Sequence, residues 1–178
     1  MKLDDLKYPI GKYAPNKNPD KKLLESWLND LTVLPNRLME ITQGLSEEEL
    51  TYIYRPGGWS IRQVVHHIAD SHMNSIIRFK LALTEDEPTI RPYHEDRWAN
   101  LQDVASVDIN ASIQILSGVH ARLVPLLESL TDNELRREFI HPEYNTRMTI
   151  IETIGMYAWH SNYHYAHIGQ ALKFSNNF

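Results

Sequence analysis

The sequence predicts an all-α protein folded as a four-helix bundle, and three observations carry that reading. Four long segments repeat apolar residues at the spacing of one helix face. Capping pairs of the form Ser/Thr-x-x-Glu/Gln recur along the chain at points where helices would begin. Strand-like alternation of apolar and polar residues is nearly absent.

Residues 1–178 read as a single bundle domain preceded by an extended N-terminal arm over about 1–18. Pro9, Gly11 and Pro15 suit an arm that lies over the body. Asn18-Pro19 is a helix start, with asparagine as cap and proline at the first helical position. Leu23, Leu24, Trp27, Leu28, Leu31 and Leu34 follow at helical spacing until Pro35, which should kink or shorten the helix. Gly44 suits the end of that segment. Ser46 and Glu49 cap a short helical turn, and Arg55-Pro56-Gly57-Gly58-Trp59 forms a loop behind it.

Ser60 with Gln63 opens a second long helix running to about Thr84, with Ile61, Val64, Val65, Ile68, Ile76 and Phe79 on its apolar face. Glu85 to Leu101, with two prolines and mixed charge, reads as a long polar connection. A third helix over roughly 106–130 carries Ile109, Ile113, Ile115, Leu116, Val119, Leu123 and Leu126, and Pro125 should bend it. Thr131 with Glu134 caps another short turn, an irregular stretch follows from Phe139 to Met148, and Thr149 with Glu152 opens the fourth helix to about Lys173. Each long helix of about 24 residues would span about 36 Å.

Composition narrows the function. A net charge of −5 and a pI near 6.0 leave no basic footprint, so nucleic acid is not an expected partner. The absence of cysteine excludes disulfides, thiolate metal sites and a cysteine nucleophile, so any metal must be held by nitrogen and oxygen. Charges in Met1–Lys7 do not fit a signal peptide, and no apolar run approaches the roughly 20 residues of a membrane span. The simplest location is the cytoplasm, with no membrane partner.

His160 and His164, in Trp159-His160-Ser161-Asn162-Tyr163-His164, lie one above the other on a helix face, and His167 borders the same stripe. Two such imidazoles can share one metal ion. An open zinc-type site uses three protein ligands, so another must come from elsewhere. Val65-His66-His67-Ile68-Ala69-Asp70 is the obvious donor, and periodicity alone does not choose between His66 and His67. The glutamate of HExxH is missing, so the helix brings no built-in general base. His72 falls within the apolar stripe and reads as a hydrogen-bonded core residue, whereas His94, His120 and His141 read as surface or loop residues. Asp70 suits either a partner of a ligand imidazole or, as its position favours, a solvated charge. Trp59 and Trp159 fit a pocket wall or, more commonly, core.

Several longer blocks resemble the YfiT family of metal-dependent hydrolases within the DinB-like superfamily. They are Tyr8-Pro9-Ile10-Gly11-Lys12, Arg55-Pro56-Gly57-Gly58-Trp59, Gln63 through Asn74, Arg78 through Asp86, and Tyr157-Ala158-Trp159-His160. The resemblance spans nearly the whole chain and implies a four-helix bundle holding one divalent ion, Zn²⁺ or Ni²⁺, through three histidines. Those histidines fall on His67, His160 and His164; His66 is then a partly exposed polar residue, and a role for His167 stays open. The resemblance also implies a small-molecule substrate and a homodimer. The expected activity is metal-dependent hydrolysis with no assignable general base and no organic cofactor. The alternatives are thiol transfer at the same site, as in related DinB-like proteins, or a metal that merely fastens a binding module.

Overall fold

A computed structural model describes residues 3–143 and 145–178. Helix α1 (Leu3–Lys7) comes first, so the expected arm is not extended throughout. One helical turn lets Leu6 bury while Asp4 and Asp5 face outward. The first long helix, α2 (Lys21–Thr42), starts later than Asn18-Pro19 predicted, because Asp20 takes the cap and accepts from the Leu23 amide at 2.8 Å. It runs through Pro35 without ending. Proline has no amide hydrogen, so the Leu31 carbonyl one turn earlier lacks its helical donor. His120 supplies a replacement through Nδ1.

Ser46 and Glu49 exchange hydrogen bonds at the head of a single tight turn, Glu49–Thr51. Helix α3 (Ile61–Thr84) opens on the predicted Ser60–Gln63 capping box. The connection beyond it is not simply loop, since it holds α4 (Glu95–Trp98) and leads into α5 (Gln102–Ser106). Helix α6 (Ile109–Glu128) continues past Pro125, and α7 (Asp132–Leu135) carries the Thr131–Glu134 box.

The stretch expected to be irregular from Phe139 to Met148 is largely a hairpin of β1 (Glu138–His141) and β2 (Thr146–Thr149), with Glu138 opposite Thr149 and His141 opposite Thr146. Asn145, at φ 47°, takes the left-handed conformation its turn requires. Ile140 also bonds the backbone of Pro88 and Ile90, so a distant segment helps hold the hairpin. The last long helix, α8 (Ile150–Phe174), begins at the Thr149–Glu152 box.

Helices α2, α3, α6 and α8 form the bundle. Each of α2 and α3 packs against both α6 and α8, which places α2 diagonal to α3 and α6 diagonal to α8. In a plain up-and-down bundle successive helices are neighbours. Here only the step from α3 to α6 joins neighbours. None of the helices is long and apolar enough to cross a membrane among the described residues.

The core has two apolar ends. One holds Leu34, Leu38, Val64, Ile68, Leu116 and Ile168; the other holds Leu31, Phe79, Leu123, Leu127, Ile154 and Tyr157. Fully burying such side chains contributes roughly 1.5–3 kcal/mol each. A layer of histidines lies between the two ends.

The arm is strapped along α8. Gln170 donates to the Leu6 carbonyl at 2.8 Å, Tyr163 Oη to Lys7 at 2.8 Å, and Trp159 Nε1 to Gly11 at 3.3 Å. Tyr13 Oη donates to the Glu152 carbonyl at 3.0 Å. The arm therefore runs antiparallel to α8, past the turns that carry His160, His164 and His167.

Helices α2 and α8 approach closely at Gly155, where an added Cβ would lie 2.8 Å from the Trp27 ring. Gly155→Val should destabilise the protein by about 1–3 kcal/mol, the usual cost of overpacking. The shift of the urea midpoint, at unchanged m-value, measures it.

Candidate metal centre

His67 projects from α3, and His160 and His164 project from successive turns of α8. One ring nitrogen from each lies within 4.8 Å of the others. His67 Nε2 stands 3.2 Å from His160 Nε2. The His164 ring centroid is 4.8 Å from that of His67 and 4.4 Å from that of His160. His67 and His164 are buried, while His160 is partly exposed.

These residues fit a metal ion. Nitrogens at 2.0–2.1 Å from a tetrahedral zinc lie roughly 3.3 Å apart, close to the 3.2 Å between His67 and His160. Imidazole must be neutral to ligate. Burial pushes His67 down to about 4. Burial, reinforced by the neighbouring imidazoles, holds His160 and His164 well below the ordinary histidine value.

The tautomer of His164 follows from its neighbour. His167, fully buried, bonds the Lys7 carbonyl through Nε2 at 3.2 Å. A carbonyl only accepts, so His167 Nε2 carries the hydrogen. Burial pushes His167 down to about 4, so it is neutral and its Nδ1 accepts. That nitrogen lies 3.4 Å from His164 Nδ1, which therefore donates and leaves the His164 Nε2 lone pair free. The Tyr54 ring stacks on His167 at 3.8 Å and fixes its plane.

The other histidines divide differently from their sequence expectation. His66 is not partly exposed; it is buried, turns towards α6 and bonds Ser112 Oγ through Nδ1 at 2.7 Å. His120 and His141, expected at the surface or in loops, are both buried. His120 sits inside because Pro35 leaves it a carbonyl, and His141 because β1 forms a cavity wall. His72 is fully buried and hydrogen-bonded, as its place in the apolar stripe predicts. His94 is exposed. Asp70 is half-buried, and burial followed by Asp103 pushes it up to about 6. It makes no hydrogen bond to these imidazoles among the described residues.

The cluster opens onto two cavities. One, about 410 Å³, is lined by His67, His160, His164, Trp59, Trp159 and Tyr163; Trp59 lies 4.7 Å from the His67 ring centroid. The other, about 550 Å³, is lined by His160, Arg78, Tyr93, Met156 and Tyr157. His160 and Glu95 border both. Partial desolvation, then Asp96 and Glu143, raise the Glu95 carboxyl, with Arg78 opposing. Glu95 is not legible from the sequence, because nothing in its spacing ties α4 to the histidines.

The bundle therefore brings imidazoles from two helices together between two cavities. Over residues 30–168 the chain matches the DinB superfamily, to which it belongs. It is similar to YfiT of Bacillus subtilis, with 44% identity over 169 residues covering 95% of each chain. The solved YfiT structure, described as "a probable metal-dependent hydrolase with an unusual four-helix bundle topology", matches with a TM-score of 0.93 and 42% identity over 96% of this chain and 98% of that one. A relative in Bacillus cereus strain B4264, provisionally named a metal-dependent hydrolase, is 44% identical over 96% of this chain and 98% of its own length.

Burial of these imidazoles makes stability pH-dependent. His67 ionises at 6.5 when unfolded and at about 4 when folded, so the folded chain binds fewer protons between those values. Stability is complete above 6.5 and falls as pH drops towards 4. Chelator-treated protein should lose on the order of 3 kcal/mol from His67 alone, with His167 acting in the same direction. Urea midpoints taken from neutral pH down through that window test this, and a flat profile would show hydrated, titrating imidazoles.

Proposed function

We propose that the protein is a metal-dependent hydrolase of small molecules, with one Zn²⁺ or Ni²⁺ held by His67, His160 and His164. The convergence of three neutral imidazoles beside two cavities carries this reading, and the names of its relatives support it. Imidazole suits both metals. Once bound, the ion would supply Lewis acidity, activating water and polarising a carbonyl or phosphoryl oxygen.

The chain's own groups divide the remaining work. Trp59 and Trp159 wall the smaller cavity and keep bulk water from the histidines. Glu95, an exposed residue that lines both cavities and has its pKa raised, would take up and return the proton. Arg78 donates to Tyr157 Oη at 3.2 Å and presents a cation to the larger cavity.

A second reading, transfer of a thiol to an electrophile, draws on the same two cavities. Conjugation needs room for two reactants beside one centre, and His160 borders both spaces.

Elemental analysis should find about one divalent ion per chain, sharply reduced in His67→Ala, His160→Ala and His164→Ala and little changed in His66→Ala. Loss with His66→Ala and retention with His67→Ala would reverse the ligand assignment.

Activity on activated ester, amide or phosphoester probes should require the metal and no thiol. Glu95→Gln should keep the metal while lowering kcat by about 10²–10⁴. Metal-dependent conjugation of a thiol, with no hydrolysis in its absence, would favour transfer instead.

A further inference from the structure

A second chain of imidazoles approaches the cluster from the opposite side of the bundle. It begins at Pro35 of α2, which leaves the Leu31 carbonyl without its helical donor. His120 Nδ1 of α6 bonds that oxygen. Because a carbonyl only accepts, the hydrogen is on His120 Nδ1. Burial favours the neutral ring, so His120 Nε2 is an acceptor.

His72 Nδ1 of α3 lies 2.8 Å from His120 Nε2. It must donate there, which leaves His72 Nε2 as a bare lone pair. That atom is buried and has no partner among the described residues. His160 Nδ1 is buried and equally without a partner. The two rings have centroids 5.6 Å apart. Both are held neutral by burial first, then His72 by His120, His160 and His67, and His160 by His67, His167 and Arg78. One atom can only accept. The other must carry a hydrogen if His160 Nε2 is to ligate.

We propose that the Leu31 carbonyl, His120 and His72 form a positioning chain whose last acceptor, His72 Nε2, takes the Nδ1 hydrogen of His160 and fixes that imidazole with Nε2 towards the metal. The two atoms are unbonded in the structure, and the final bond forms when a ring turns to bring them together. The chain rests on the metal-centre reading above. It runs through all four long helices, and it does for His160 what His167 and the Lys7 carbonyl do for His164. Outer partners of this kind typically change metal affinity by about 10–100-fold.

Nitrogen-15 labelled histidine, observed by long-range proton–nitrogen correlation, reads each tautomer directly. His72 and His120 should both carry hydrogen on Nδ1, with or without zinc, although a histidine side chain in water prefers it on Nε2. Hydrogen on His72 Nε2 would overturn the proposal whatever the metal does. In zinc competition with a chelator, His72→Leu should bind roughly 10–100-fold more weakly than wild type. His72→Gln, whose amide can donate to His120 and accept from His160, should recover most of that loss. Equal weakening in both variants, or none in His72→Leu, would also overturn it. Should His72→Leu fail to fold, the wild-type tautomers still decide. Wild-type protein that takes up no zinc or nickel would instead sink the metal reading, and this proposal with it.

Discussion

Burying imidazole between two apolar clusters is the constraint on which the rest of the structure depends. His67, His72, His120, His160, His164 and His167 lie where α2, α3, α6 and α8 would otherwise complete a continuous hydrophobic core. A buried polar group left unsatisfied costs about 1–3 kcal/mol, and a buried charge more. The layer is therefore kept neutral, and its hydrogens are directed in a definite order. Two backbone carbonyls set that order. Leu31 is freed by a proline inside a helix, and Lys7 is delivered by the arm.

The arm and the loop beyond Gly44 are thereby tied to the site. The first holds His167 in place, while the second brings Trp59 against His67 and Tyr54 against His167. Segments that look peripheral in the sequence close the space around the histidines. The open side is left to α4 and the hairpin, which line the larger cavity.

Much of the bundle was legible because its signals are local. Ser60, Thr131 and Thr149 cap helices where their partners three residues on predicted, and the apolar period of α3, α6 and α8 needed no tertiary information. The hairpin was not legible, since its strands are short and Ile140 is held by Pro88 and Ile90. His120 reads as a surface or loop residue because its partner is a carbonyl 89 residues away, freed by a proline whose sequence signal is only a kink or an early helix end. His66 and His67 flank one stripe and look equivalent on a helical wheel. Resemblance selected His67, and the structure shows the physical difference: His67 faces α8 and His66 faces α6.

The diagonal arrangement of successive helices also governs how the protein reaches this state. His67 and His160 are 93 residues apart, and the bond from Gln170 to Leu6 spans 164. Contacts of such long range incur loop-closure entropy before they give anything back, and they slow folding. Nearest-neighbour helix pairs cannot form piecemeal from α2 to α3 or from α6 to α8. On a chain emerging from the ribosome, the histidine cluster has no partial version, since α8 brings two of its three rings and emerges after α2, α3 and α6. Acquisition of the ion is then a late event that marks a completed bundle rather than a nucleus for one.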